Sequence, residues 1–261
     1  TEAERAAYEA VWRTVELLRV MLADPQCLES VFSASYAAVM TLEERLSYPG
    51  GLESRVWTGG DANMYGCAMG CHGTGVYGVV EVAKLEPMLK EWMAATYEGL
   101  TPDMFVAVWE LICFVGLATH CAPKWAGKTV IYVTDNQNVE AWLTNLRAGS
   151  PVPNHLMLLV VLLMAKYRFS VYSFYVWTDH NLWDRPSRVF DPPEERKSDG
   201  FGLEGLTEFM DGTFPELKLV DLYPQLEHYL KGGKQELLEL FGDAPGAARD
   251  LAARRAAVGS V

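Results

Sequence analysis

The stretch Lys128-Thr-Val-Ile-Tyr-Val-Thr-Asp135 decides the fold of this chain. Its centre, Val130 to Val133, is a continuous run of β-branched and aromatic residues, which is typical of a strand covered on both faces in a parallel sheet. A second covered strand is predicted over 171–177, and the residues between the two strands favour helices over 138–147 and 155–168. Covered strands that alternate with helices indicate an α/β fold.

The residues before this stretch favour short antiparallel strands. Glycines punctuate the segment from 55 to 82, which suits strands joined by tight turns. The predicted strands are Val56-Trp57-Thr58, Tyr65 to Met69 and Val76 to Val82. Helices are predicted over 84–97, from Thr101-Pro102 onwards, and over 183–189. These elements together predict a mixed five-stranded sheet with helices on both faces.

Helical extensions flank this unit on both sides. Near the N-terminus, Val11, Leu17, Leu18 and Met21 are spaced for one apolar helix face. A charged, proline-containing linker begins at Asp191, and helices are predicted near 202–211 and 223–241. The predicted organisation is a helical N-terminal extension over 1–54, a central domain over 55–190, and a linker with a helical C-terminal extension over 191–261.

Composition limits the classes of function. The chain has 261 residues, a formal net charge of −12 and 50% hydrophobic residues, which excludes an intrinsically disordered chain. The acidic balance argues against a free-standing nucleic-acid binder, because phosphate backbones attract basic surfaces. Five cysteines without a disulfide framework indicate an intracellular, reducing compartment. No membrane partner is expected, because the longest uncharged apolar run, 156–165, is too short to span a bilayer.

Four acidic residues lie on separate predicted elements, in a pattern typical of a site for a hard cation. Each also has a simpler explanation. Asp61 can belong to a Gly-Gly turn, and Glu110 can lie at a helix edge that reaches solvent. Asp135 can cap the next helix, as Asn136 also can, and Asp184 can cap the closing helix.

Two motifs resemble the ribonuclease H domain of reverse-transcribing elements, in particular of pararetroviruses and of retrotransposons that integrate by tyrosine recombinase. They are Thr134-Asp-Asn-Gln-Asn-Val-Glu-Ala-Trp-Leu143 and His180-Asn-Leu-Trp-Asp-Arg-Pro-Ser-Arg188. Asp61-Ala-Asn-Met-Tyr-Gly66 resembles the opening motif of that family, and Trp109-Glu-Leu111 resembles its Glu-Leu helix motif. The resemblance covers about residues 55 to 190, and residues 1–54 resemble more loosely the segment that connects polymerase and ribonuclease H.

The resemblance implies a ribonuclease H-like fold and an endoribonuclease that hydrolyses the RNA strand of RNA–DNA hybrids with two Mg²⁺ ions, or Mn²⁺ in their place. Asp61 would bridge the ions, Glu110 and Asp135 would hold the leaving-group ion, and Asp184 would hold the nucleophile ion. His180 is a further catalytic candidate, which either assists proton transfer or orders its loop. Contacts to 2′-hydroxyl groups are assigned to these candidates: Asn63, Asn136 and Gln137.

Three features favour an alternative function, in which a domesticated, catalytically inactive member of the family acts as a scaffold or interaction subunit. One is the presence of the long helical extensions. The motif neighbourhoods depart from the family at Gly59-Gly60, Trp183 and Pro186, and acidic residues outnumber basic ones. An acidic domain also binds a hybrid weakly by itself, so the expected partners include a reverse transcriptase domain or a larger protein assembly that would hold the hybrid.

Overall fold

The computed structural model describes residues 55–93, 100–198 and 200–233. The N-terminal extension predicted over 1–54 lies outside these residues, as does the end of the helix predicted over 223–241. The described chain forms a mixed six-stranded sheet with helices, which confirms the α/β class. The strands are β1 (Arg55–Ala62), β2 (Gly66–Cys71), β3 (Val76–Glu81), β4 (Thr129–Thr134), β5 (Ser170–Tyr175) and β6 (Lys218–Leu219).

The sheet combines an antiparallel meander with parallel strands. Its order is β5-β4-β1-β2-β3-β6, in which β1 pairs antiparallel with β2, and β2 antiparallel with β3. The other pairs, β1 with β4, β4 with β5 and β3 with β6, are parallel. The strand β1 is therefore central, and its carboxyl end lies beside that of β4.

The sheet has six strands, so the predicted number of five is wrong. The additional strand, Lys218–Leu219, forms because the chain after residue 214 returns along the edge of β3. The amide of Lys218 donates to the carbonyl of Gly75, and the amide of Val220 donates to the carbonyl of Tyr77. Only two residues pair, both are exposed, and no hydrophobic run marks them in the sequence.

The main hydrophobic core lies on one face of the sheet. The helices are α1 (Val82–Met93), α2 (Pro102–Cys121), α3 (Gln137–Asn145), α4 (Pro151–Tyr167), α5 (Asp184–Ser187), α6 (Leu203–Thr213) and α7 (Tyr223–His228). Five of them, α1 to α4 and α7, contribute to this core together with inward-facing residues of β1 to β5. Helix α2 packs against both β1 and β2. It begins at the N-cap Thr101 with Pro102 in its first turn, as predicted.

A second, smaller cluster covers the other face over β2 and β3. Trp183 stacks on Phe214 there, and helix α6 contributes Leu206 and Met210. Helices therefore cover both faces of the sheet, as predicted. The helix predicted over 183–189 is shorter than expected, because only Asp184–Ser187 is α-helical and a 3₁₀ turn over Arg188–Phe190 follows it.

Helix α2 is apolar enough to resemble a membrane span. The segment Pro102–Trp125 has a mean hydropathy of 1.8, and 78% of that window is buried inside the protein. Core helices of soluble proteins can have the same length and composition. The four cysteines among the described residues are buried and free: Cys67, Cys71, Cys113 and Cys121.

Candidate metal centre

Parallel pairing brings two of the predicted carboxylates side by side. Gly59 of β1 pairs with Val133 of β4, and two further residues along each chain reach Asp61 and Asp135. Asp61 lies inside β1, so the alternative of a Gly-Gly turn is wrong. Gly60 lies in the strand at a point where helix α2 approaches closely. A Cβ atom at this position would lie 2.6 Å from Cys113 of that helix, so a larger residue would push the helix away.

Helix α2 supplies the third carboxylate. The Glu110 side chain is only 5% exposed, so it does not reach solvent. Its two oxygens accept hydrogen bonds from Thr134 Oγ1 at 3.0 Å and Asn136 Nδ2 at 3.1 Å. The helix is also bound to the strands by the Tyr132 hydroxyl, which donates to the backbone carbonyl of Glu110. These contacts direct Glu110 towards the carboxyl end of β4.

Asp61, Glu110 and Asp135 converge. Each offers one carboxylate oxygen, and the three oxygens lie within 4.8 Å of one another. Asp61 and Glu110 are buried, and Asp135 is half-buried. Because a set of carboxylate oxygens suits a hard divalent cation, this triad can hold a metal ion.

Crowding of negative charge shifts the protonation of the triad. Burial raises the pKa of Asp61 well above its ordinary value, and the charges of Glu110 and Asp135 raise it further. Burial and the charge of Asp135 raise the pKa of Glu110 to about 8. A divalent cation among these oxygens would favour their ionised forms and so offset both effects.

Two polar residues that were not predicted as site residues donate hydrogen bonds to the triad. Asn181 Nδ2 donates to Asp135 Oδ1 at 2.8 Å and to Asp61 Oδ1 at 3.3 Å, so one amide bridges two carboxylates. The Ser187 hydroxyl donates to Asp61 Oδ2 at 2.5 Å. Both residues lie in the motif His180–Arg188, but only the ionisable members of that motif were candidates.

The fourth predicted ligand, Asp184, lies outside the triad and is paired with two cations. Arg188 Nη2 donates to its Oδ1 at 2.8 Å, and Lys197 Nζ donates to its Oδ2 at 3.3 Å. Partial burial raises the pKa of Asp184, but the hydrogen bonds and charges of Arg188 and Lys197 outweigh this effect and lower it overall. Asp184 is the first residue of α5, and the N-cap of that helix is Trp183, so Asp184 is not its N-cap.

The segment Asp191–Lys197, which we call the strap, places Lys197 beside Asp184. Asn63 Nδ2 donates to Asp191 Oδ1 at 2.6 Å, and the Tyr65 hydroxyl lies 2.8 Å from Glu195 Oε1. Both contacts bind the strap to the turn between β1 and β2. Since Asn63 Oδ1 also accepts from the amides of that turn, both ends of the Asn63 side chain have partners.

The remaining candidates occupy different positions around the triad. Asn136, and not Asp135, is the N-cap of α3, and its side chain also donates to Glu110. Gln137 is exposed in the first turn of α3. His180 is exposed at the end of a 3₁₀ turn and does not belong to the metal-capable group.

A scan against protein-family models finds no match to this chain. Searches of curated proteins and of solved structures find no significant match.

Proposed function

We propose that this protein is a ribonuclease H-like endoribonuclease of retroelement origin, which hydrolyses the RNA strand of RNA–DNA hybrids with two Mg²⁺ ions. The observation that carries the proposal is the convergence of Asp61, Glu110 and Asp135 within 4.8 Å at the carboxyl ends of β1 and β4. The mixed α/β sheet with helices is broadly consistent with such a fold. The motifs that contain Asp135 and Asp184 also support the proposal, because they resemble motifs of the ribonuclease H family.

The side chains have separate roles in the proposed reaction. Two divalent ions, when bound, would activate water on one side of a phosphodiester and stabilise the leaving oxygen on the other. The triad would hold one ion, and Asp184 together with Asp61 would hold the other. Thr134 and Asn136 fix the carboxylate of Glu110 by hydrogen bonds, which keeps it oriented before an ion arrives.

The direct test is cleavage of a labelled RNA–DNA hybrid in Mg²⁺. We expect products from the RNA strand only, and none from duplex DNA, duplex RNA or single strands, because recognition of the hybrid requires 2′-hydroxyl groups on one strand. Asp135→Asn should abolish cleavage, and Asp179→Asn is the matched control, since Asp179 is exposed and outside the triad. A chain that cleaves nothing, or an Asp135→Asn variant that still cleaves, would contradict the proposal.

A second candidate function, an inactive scaffold subunit, is favoured by the partners of the carboxylates. Asn181 bridges Asp61 and Asp135, and Asp184 is neutralised by Arg188 and Lys197. These groups give Asp61, Asp135 and Asp184 polar partners without any added ion. Titration calorimetry with Mg²⁺ and with Mn²⁺ separates the two functions: bound ions support the nuclease, and no heat at millimolar concentration supports the scaffold.

The hybrid would need a further protein surface to hold it. The net charge of −12 opposes binding of a polyanion, and the described residues place acidic groups at the site itself. A reverse transcriptase domain or a larger assembly would supply the basic surface. Hybrid affinity of the isolated chain should therefore be weak and should depend little on salt, because few cationic side chains would displace counterions from the phosphates.

A further inference from the structure

One tryptophan is exposed beside the triad. Trp177 follows the end of β5 and is 70% exposed, the largest exposed fraction among the large hydrophobic side chains of the described residues. Three other tryptophans, Trp109, Trp125 and Trp183, are buried. The ring of Trp177 packs edge-to-face against Tyr175, with 5.8 Å between the ring centroids. An exposed and oriented indole is typical of a binding surface, because tryptophan combines a large apolar area with few rotatable bonds.

The loop that carries Trp177 leads into the metal centre. At its start, the Val176 amide donates to the carbonyl of Thr134 at 2.9 Å, which places the loop beside the end of β4. A 3₁₀ turn over Thr178–His180 then joins Trp177 to Asn181, whose side-chain amide donates to two carboxylates of the triad. Because a 3₁₀ turn rises about 2 Å per residue, the backbone of Trp177 lies about 8 Å from that of Asn181. Trp177 is therefore at the rim of the metal centre.

Two cations beside the site are already engaged, so the rim attracts nucleic acid by other means. Arg188 and Lys197 both pair with Asp184, and the triad adds only acidic groups, which repel phosphate. Stacking between an aromatic ring and a nucleobase needs no positive charge, because every base has a π-face. Leu182, on the same loop as Trp177, is also exposed. The rim thus presents apolar side chains that suit the uncharged part of a nucleotide.

We propose that Trp177 stacks on an unpaired nucleobase of the RNA strand. The preferred substrate is then a hybrid that continues into single-stranded RNA beside the cleaved bond. Bases inside a duplex stack on one another and present only their edges, whereas an unpaired base presents its whole face to an aromatic ring. The RNA strand is selected because it is the strand that would lie at the metal centre, about 8 Å from Trp177. The inference rests on the proposed function, because it specifies the RNA that the nuclease would cut.

Cleavage kinetics of the full chain test the inference. The substrates are a blunt hybrid and the same hybrid with a short single-stranded extension at either end of its RNA strand. We expect the wild type to have a KM about five- to tenfold lower for an extended hybrid, with kcat changed less than about twofold, because stacking on one base adds binding affinity. An abasic nucleotide at the first unpaired position should remove this preference.

Variants assign the preference to one side chain. Trp177→Ala should remove it, whereas Trp177→Phe should keep most of it, since a smaller ring still stacks on a base. Leu203→Ala is the control, because Leu203 is 52% exposed but lies on α6, and this variant should keep the full preference. Equal KM values for blunt and extended hybrids in the wild type, or an undiminished preference in Trp177→Ala, would overturn the inference and leave the nuclease in place.

Tryptophan fluorescence separates this inference from the proposed function, because it requires no turnover. The extended hybrid, added in a chelator, should quench the emission of the wild type. Most of the quenching should be lost in Trp177→Phe and kept in Trp57→Phe, since Trp57 is also exposed but lies early in β1. Quenching that depends on Trp177 in a chain that cleaves no hybrid would contradict the nuclease and support the stacking. Quenching that is absent, or that does not depend on Trp177, would overturn the stacking.

Discussion

Glu110 shows at the scale of one residue how the fold concentrates negative charge. Its donors, Thr134 and Asn136, are neutral, and its nearest charged neighbours in the site are carboxylates. A buried carboxyl in such surroundings prefers to be protonated. The residue is thus costly to the folded protein at neutral pH unless a cation binds, which is a common property of functional sites.

The raised pKa of Glu110 predicts how stability depends on pH. Its ordinary pKa is 4.5 and its folded pKa is about 8, so between these values the folded state binds more protons than the unfolded state. The contribution of Glu110 to the free energy of unfolding of the metal-free protein should therefore be complete below pH 4.5 and should fall as pH rises to about 8. Urea unfolding in a chelator measures this. Glu110→Gln should reduce the fall, and Glu208→Gln, on the exposed surface of α6, should leave it unchanged.

A substitution of Asn181 should change metal affinity and stability in opposite directions. Asn181→Asp replaces the bridging amide by a fourth carboxylate in contact with Asp61 and Asp135. We expect affinity for Mn²⁺ to rise about tenfold and the metal-free protein to unfold at a lower urea concentration, because like charges repel at short distance. Calorimetry and urea unfolding measure the two effects. Asn145→Asp, at an exposed helix position, is the control, and equal effects in both variants would contradict the role of Asn181.

Glycine in the strands sets how closely neighbouring elements approach. In β2, an added Cβ at Gly70 would lie 2.1 Å from the Trp183 ring, so the packing of that ring requires glycine at this position. Gly70→Ala should lower the free energy of unfolding by about 1–3 kcal/mol, through overpacking. Gly149→Ala is the matched control, because nothing lies within 4 Å of its added Cβ. Equal stabilities of the two variants would contradict this explanation.

The strap contacts Asp184 through Lys197. Lys197 holds Asp184 Oδ2 at 3.3 Å and is half exposed, so its ion pair is weak and a divalent ion can displace it. Lys197→Gln should therefore increase affinity for the second of two ions by about two- to fivefold, with little change for the first. Calorimetry resolves the two steps. Lys218→Gln, an exposed lysine on β6, should change neither, and a loss of affinity in Lys197→Gln would contradict displacement.

In the whole molecule, ion binding and stability are coupled, because the three carboxylates of the triad come together only when β1, α2 and the end of β4 are folded. An ion that binds only the folded chain should raise the free energy of unfolding by about 2.7 kcal/mol at a free concentration one hundred times its dissociation constant. Thermal unfolding with and without Mg²⁺ measures this in the wild type. Asp61→Asn should lose the increase, and a wild type insensitive to Mg²⁺ and Mn²⁺ would contradict the metal centre.

The strands and the three converging carboxylates can be predicted from the sequence because their signals are local. Val130 to Val133 is recognisable as a covered strand without tertiary information, and Asp135 follows it directly. The two-residue strand Lys218–Leu219 could not be predicted, because its pairing depends on a chain reversal that no local pattern encodes. The same holds for Asn181 and Ser187, whose roles arise only from proximity to Asp61, more than one hundred residues earlier.

The pairing of β1 with β4 also has a kinetic consequence. Thr58 donates to the carbonyl of Ile131, 73 residues away, and the triad exists only once this pairing is complete. Closing so long a loop is slow, and topologies dominated by such contacts fold slowly. A cation that needs the finished arrangement has nothing to bind in the early stages of folding. Binding of the cation should therefore slow unfolding and leave the folding rate unchanged.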